Sequence, residues 1–212
     1  MNPSNLSPSP DTPSTAAIIL AAGGSMRFGS PKQLAPWHGK TFIEQVVDSV
    51  LASTARPIIV VLGAEREQCQ ALLEDKLVEI VMNDHWREGQ STSLQIGLAA
   101  LPSDVSSALF LLVDLPAITP DIIDAIIERY QQTKAPLVWP EFEGKRGNPV
   151  LFDRSLFAEL SQISGDTGGK PVLMAHKAQA ERVSVTNPGV IQDFDRPEQL
   201  HFANDESSHR QK

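Results

Sequence analysis

At 212 residues the chain has the length of one domain with a substantial buried core, and too little length for a second full one. Its 18 Lys and Arg against 26 Asp and Glu give a formal net charge of −8, which argues against general nucleic-acid binding, since that affinity is drawn from many cation–phosphate contacts. Charged residues make up 21 % and hydrophobic residues 41 %, and no uninterrupted apolar run approaches the ~20 residues of a membrane span, so a water-soluble protein is expected.

Cys69 is the only cysteine, which rules out an internal disulfide and any cysteine-based metal site and sets the expectation of a cytoplasmic address. Residues 1–15, MNPSNLSPSPDTPST, have neither a basic segment nor an apolar core. They are expected to be a disordered Pro/Ser tail rather than a secretory signal.

From residue 16 the chain alternates. AAIILA reads as a buried strand and breaks at Gly23-Gly24 into a loop holding Arg27, Gly29 and Lys32. PWHGK then leads to a helix over TFIEQVVDSVLAS, where Phe42, Ile43, Val46, Val47, Val50 and Leu51 share a face and Thr41 with Glu44 forms a capping box. IIVVLG after Pro57 is a second strand, residues 64–75 are helical through Cys69, Leu72 and Leu73, and VEIVM at 78–82 is a third strand. NDHWREGQSTSLQIGLAAL starts as a polar loop and becomes a helix with Leu94, Leu98 and Leu101 at helical spacing.

SALFLLVDLP predicts a central parallel strand buried on both faces, with Asp114 at its carboxyl end. Thr119 caps the next expected helix, Pro120 sits in its first turn, and Ile122, Ile123, Ile126, Ile127 and Tyr130 face inward. PLVWP and NPVLF are short strands joined by the turn-rich EFEGKRG, which suggests an antiparallel excursion. SLFAEL is expected as a short helix, GDTGGK as a second Gly-rich loop, PVLMAHK as a helix and AERVSV as a last strand. IQDFDRPEQLHFA closes the domain at residue 202, with Asp195 as an N-cap and Glu198 as its capping-box partner, and residues 203–212 form a second polar tail expected to be disordered.

This βαβα alternation predicts an α/β fold: a three-layer α/β/α sandwich around a mostly parallel, Rossmann-like sheet with a small antiparallel excursion. Ligands in such folds bind at the carboxyl ends of the strands, near the switch in strand order. Gly23, Arg27, Gly63, Asn83 and Asp114 all follow predicted strands, so one edge can collect them.

The opening loop is built for an anion, because glycines let backbone N–H groups approach closely and Arg27 and Lys32 add charge. It is not a Rossmann loop, since GGSMRFG lacks G-x-G-x-x-G and the acid after the second strand, Glu65, comes far too late. Nor does G-x-x-x-x-G-K-[ST] occur anywhere. By residue type alone, the glycines could simply make a turn, Asp114 could cap a turn, Asp195 is explained as a helix cap, Ser91 as the cap of its helix, and GDTGGK as a flexible loop. Trp86 reads as a packing residue rather than a stacking platform. The five histidines show no metal-ligand spacing and are assigned neither to zinc nor to acid–base work.

LAAGGSMRFGSPKQL resembles the signature of the nucleotidyltransferases that modify the molybdenum cofactor, especially the cytidylyltransferase branch. NDHWREGQSTSLQIGL at 83–98, VDLP at 113–116, GKRGNPVLF, GDTGGKPVL and DFDRPEQL resemble further blocks of that family, in family order from about residue 16 to 202. The resemblance implies Mg²⁺-dependent transfer of a nucleoside monophosphate from an NTP to a phosphate of a molybdopterin-type cofactor, with release of pyrophosphate and a molybdenum enzyme as the possible recipient of the product. CTP is favoured because the loop reads LAAG rather than LAGG.

By the same resemblance, Leu20, Ala21, Ala22, Gly23, Gly24, Arg27 and Lys32 hold the nucleotide together with Asn83, Ser91 and Ser93. Lys32, Arg27 and Asp114 are the catalytic candidates, and Asp114 with Asp195, or Asp193 as second choice, holds the metal. Gly147, Asn148, Gly165, Asp166 and Gly168 belong to the acceptor side. The alternatives are a non-catalytic nucleotide- or cofactor-binding chaperone for a molybdenum enzyme, and a family relative that uses GTP or another phosphate acceptor.

Overall fold

The computed structural model describes residues 14–25 and 28–194. Strand β1 (Ser14–Ala21) is buried at every position but its first, and it takes in two residues that the sequence assigned to the tail. A hairpin follows, β2 (Pro36–Trp37) against β3 (Lys40–Thr41), turned by His38 and Gly39 at φ 45° and 83°. The sequence reading took PWHGK for a plain connector; two successive positive-φ residues are what a tight hairpin turn requires. Thr41 then caps α1 (Phe42–Leu51): its hydroxyl accepts from the Glu44 N–H while the Glu44 carboxylate accepts from the Thr41 N–H, the expected capping box.

The remaining elements are β4 (Ile58–Leu62), α2 (Arg66–Leu72), β5 (Glu79–Met82), α3 (Gln90–Ala99), β6 (Val105–Leu112), α4 (Pro120–Thr133), β7 (Leu137–Phe142), β8 (Lys145–Arg146), β9 (Val150–Asp153), α5 (Phe157–Leu160), α6 (Lys170–His176) and β10 (Glu181–Ser184). Pro120 opens α4 as expected, but Thr119 makes no side-chain cap bond. The terminal helix expected from Asp195 and Glu198 lies outside the described residues.

The main sheet runs β5-β4-β1-β6-β9-β7-β10, with β8 folded back onto β7. Along that path only β9 runs against its neighbours. The antiparallel excursion is therefore β9 inserted between β6 and β7, together with the β7–β8 hairpin, which turns on Glu143 and Gly144 at φ 48° and 75°.

Side-chain alternation along the central strands divides the core into two layers. Ala17, Ile19 and Ala21 join Val60, Leu109 and Leu111 under α1 and α4, contacting Val46, Ile123 and Ile126. Ile18, Leu20 and Ala22 join Ile59, Val61 and Phe110 under α3, α5 and α6, contacting Leu94, Leu160 and Leu173. Helices on both faces explain why β1, β4 and β6 are apolar at consecutive positions rather than alternate ones.

Cys69 is fully buried, and burial pushes its thiol up to about 11, which leaves it protonated and structural. Among the described residues no helix is long and apolar enough to cross a membrane.

The chain runs outward from β1 to β4 and β5, then returns to β6 on the other side of β1. The switch point, where open α/β sheets bind ligands, is thus the carboxyl end of β1 beside β6. Helix α3 comes close over this region because Gly97 has no side chain: a Cβ there would lie 2.5 Å from Ile18 Cγ2. Gly97→Ala should therefore lower unfolding stability by about 1–3 kcal/mol, measured by urea titration.

Candidate active site

After Ala21 the backbone turns through residues 22–25, with Ser25 at φ 51°, and returns at Pro31 into a single 3₁₀ turn, Lys32–Leu34. The two ends of the loop are tied together. The Lys32 N–H donates to Ser25 Oγ at 3.0 Å, and Gln33 Nε2 donates to the carbonyls of Ala21 and Gly23 at 2.8 and 2.6 Å. From the same turn Lys32 Nζ reaches Asp114 Oδ2 at 3.2 Å, with the two side chains 11 % and 22 % exposed. A cation and a carboxylate are thus held together in a partly desolvated place at the switch point.

Asp114 lies two residues past β6, and its carbonyl accepts the N–H of Phe194 at 3.4 Å. Phe194 is anchored against Trp37 and Phe42, with ring centroids 5.0 and 5.8 Å apart. The hairpin β2–β3 and α1 thereby fix Phe194 beside the end of β6.

The opposite wall comes from residues 83–93. Buried Asn83 donates to Thr92 Oγ1 and Ser93 Oγ, each at 2.9 Å, and its Oδ1 accepts the His85 N–H. This side chain is spent on folding the loop. Trp86 lies against Gly24 and Gly63, where a Cβ would meet its ring at 2.7–2.8 Å, and the Arg87 guanidinium covers the ring at 4.2 Å. It packs, as expected, and it also forms a partition.

On one side of Trp86 is a cleft of about 830 Å³, and on the other a cleft of about 490 Å³ at the ends of β4 and β5.

Helix α3 begins after Gly89, at φ 119°, where a Cβ would lie 2.5 Å from the Gly165 backbone. The Ser91 N–H donates to the Gly165 carbonyl at 3.1 Å and the Gln90 N–H to Asp166 Oδ1 at 3.2 Å. The GDTGGK loop is therefore not an independent flexible loop. Its Asp166 carboxylate occupies the N-terminal end of α3 that Ser91 was expected to cap, and the favourable end of the helix dipole is already facing an anion of the protein itself.

Of the residues expected from sequence, Leu20, Ala22, Gly23, Gly24, Lys32, Ser93, Asp114 and Asp166 line the larger cleft together. Ala21 is buried within β1, Asn83 lines the smaller cleft, and Ser91 is buried behind the Gly165 contact. Gly168, at φ 53°, packs against Gln90. Gly147 and Asn148 lie against Val190, where a Cβ added at Gly147 would come within 2.7 Å and the Asn148 N–H donates to the Val190 carbonyl at 2.8 Å, and they do not line the cleft. Asp193 is exposed and does not line it either. Arg27 and Asp195 lie outside the described residues.

Gln33, Arg87 and Gln90 line the cleft without having been singled out. Gln33 stands immediately after Lys32, and the other two sit inside the NDHWREGQ block, but nothing in their residue types marks them.

Asp114 and Asp166 are the carboxylates on the cleft wall, and no group of three or more His, Cys, Asp or Glu converges among the described residues. Such a donor set does not suit an all-protein metal cage. It fits an ion that arrives with a nucleotide, since Mg²⁺ takes one or two carboxylates and completes its shell with phosphate oxygens and water.

A glycine loop, a lysine and an aspartate meeting at the switch point of a three-layer sheet define an α/β nucleotide-binding enzyme. Residues 17–181 match the MobA-like NTP transferase domain, and the chain belongs to that family of nucleotidyltransferases. Nicotine blue oxidoreductase of Paenarthrobacter nicotinovorans is 27 % identical over 203 residues, covering 90 % of this chain and 97 % of that protein. Molybdenum cofactor cytidylyltransferase of Escherichia coli K12 is 26 % identical over 182 residues, covering 85 % and 91 %. The crystal structure of Rv0371c from Mycobacterium tuberculosis H37Rv superposes with a TM-score of 0.79 at 21 % identity, covering 92 % of this chain and 99 % of that one. A second structure of Rv0371c, complexed with manganese, gives 0.71 at 22 % identity, covering 82 % and 89 %.

Because Asp166 caps α3 from a distant loop, Asp166→Ala should cost about 1 kcal/mol of stability in urea unfolding, and Asp166→Asn, which keeps an acceptor, should cost less.

Proposed function

We propose that the protein transfers a nucleoside monophosphate, CMP from CTP in the favoured case, to a phosphate of a molybdopterin-type cofactor and releases pyrophosphate. The observation that carries this reading is the Lys32–Asp114 pair at 3.2 Å, set against the glycine loop at the sheet's switch point. The resemblance of the opening loop and the E. coli cytidylyltransferase relative support the choice of nucleotide and acceptor.

In this reading the backbone N–H groups of residues 22–25 hold the triphosphate, with Arg27 supporting them. Lys32 neutralises charge as it develops on the α-phosphate, which is the positioning and electrostatic work that phosphoryl-type transfer demands. Asp114, with Asp195 or Asp193, would hold a Mg²⁺ carried by the nucleotide, which supplies Lewis-acid charge neutralisation at the phosphates. The acceptor enters on the side of Ser93, Asp166 and the 165–168 loop. An acceptor phosphate oxygen forms a bond to the α-phosphorus as the bond to the pyrophosphate oxygen breaks, in line. No covalent protein intermediate is invoked, since the single cysteine is buried and protonated. The product would pass to a molybdenum enzyme.

The oxidoreductase name of the P. nicotinovorans relative, which matches almost end to end, gives a second reading: an oxidoreductase acting on nicotine blue in the same cleft. The missing Rossmann fingerprint weighs against it. Pyrophosphate release with each of the four NTPs, with and without molybdopterin cofactor, separates the two when run beside an assay of NADH and NADPH oxidation. Turnover of CTP with cofactor supports the proposal. Turnover with GTP or another acceptor moves it within the family, nicotine-blue-dependent NAD(P)H oxidation without pyrophosphate overturns it, and binding without turnover favours a non-catalytic chaperone.

Asp114→Ala should abolish Mg²⁺-dependent pyrophosphate release, and full turnover would remove Asp114 as a metal ligand. Lys32→Ala should lower kcat by about 10²–10³-fold with a much smaller effect on thermal melting. A matching loss of melting temperature and activity would count against its catalytic role.

A further inference from the structure

We infer that Gln33 is a positioning residue for the triphosphate: its side-chain amide sets the direction in which the backbone N–H groups of the glycine loop are presented. This rests on the triphosphate reading of that loop.

Gln33 is 1 % exposed, yet it is a polar side chain and leaves its Oε1 with no hydrogen-bond partner among the described residues. Burying an amide in this half-satisfied state costs stability, so packing alone does not account for it. Its donor end is fully used. The two N–H bonds of Nε2 go to the carbonyls of Ala21 and Gly23, at 2.8 and 2.6 Å. Those contacts also fix which end of the amide faces the loop, because an oxygen there would repel both carbonyls.

The consequence follows from peptide geometry. In a planar trans peptide the carbonyl and the next residue's N–H point in opposite directions. Drawing the carbonyls of Ala21 and Gly23 toward Gln33 therefore turns the N–H groups of Ala22 and Gly24 away from it. Among the described residues, the N–H groups of Gly23, Gly24 and Ser25 donate to no acceptor, and all three residues line the 830 Å³ cleft. A Cβ added at Gly23 would meet nothing within 4 Å, so side-chain packing at that position does not set the orientation. Because Gln33 follows Lys32 in the same 3₁₀ turn, one short element sets both the charge and the donors that surround an anion.

Two substitutions test the role. Gln33→Met keeps the volume and removes both bonds. Gln33→Glu keeps the shape but, when ionised, sets an anion against two carbonyl oxygens. Burial and those oxygens should raise its pKa above the ordinary carboxyl value, and in its protonated form it regains one donor. In pyrophosphate-release assays both variants should raise KM for CTP about tenfold or more at pH 8 while leaving KM for the acceptor unchanged. Between pH 8 and pH 6 the KM of Gln33→Glu should fall back toward wild type, whereas that of Gln33→Met should not.

An unchanged KM for CTP in both variants would overturn the inference. So would equal changes in both KM values alongside a drop in melting temperature. Should the wild-type protein release no pyrophosphate, the functional proposal fails and backbone order measured by NMR relaxation decides the role of Gln33. Lower order parameters for residues 22–25 in Gln33→Met, with α4 unchanged, support it, and equal order overturns it.

Discussion

The burial of β1 on both faces is the constraint on which the rest of this structure depends. Alternate residues of AAIILAA feed two separate cores, so the strand has to lie at the centre of the sheet with helices above and below. Its neighbours β4 and β6 then sit on either side of it, and the chain has to cross over β1 to pass from one half of the sheet to the other. That crossing creates the crevice at the strand ends. A chain leaving so confined a strand must turn at once, and the glycine loop turns there.

Two ties convert the crevice into a site. One is local: the 3₁₀ turn of Lys32 and Gln33 folds back beneath the loop and delivers a cation to Asp114 across 82 residues of sequence. The other is remote. The 165–168 loop docks on the start of α3 through close backbone approach at Gly89 and the Asp166 carboxylate, which joins the nucleotide wall to the expected acceptor wall. The charge of the cleft is set by which side chains converge there rather than by the protein's total of −8, and among the described residues Lys32 and Arg87 there face Asp114 and Asp166.

The same ties explain which expected residues fall away from the cleft. Asn83 has the donors to bind a base, but those donors hold Thr92 and Ser93. Gly147 and Asn148 lie in a block that resembles the family, yet their N–H groups donate to the carbonyls of Pro140 and Val190 and they do not line the cleft. A motif residue that shapes the wall and one that touches a ligand look alike in sequence, since both need an unusual residue at one fixed position.

Periodicity and end signals in the sequence determined the order and type of the main elements, the two-faced burial of β1, β4 and β6, the Thr41–Glu44 cap and the placing of Lys32 and Asp114 after strands. These are properties of neighbouring residues, where propensity, capping and side-chain alternation act. The tertiary structure alone decided that Lys32 meets Asp114, that Asp166 rather than Ser91 caps α3, that the PWHGK connector is a hairpin, and that Gln33 holds the glycine loop. Each of those depends on a partner distant along the chain or on a backbone angle that side-chain chemistry does not specify, and only packing brings such partners within hydrogen-bonding distance.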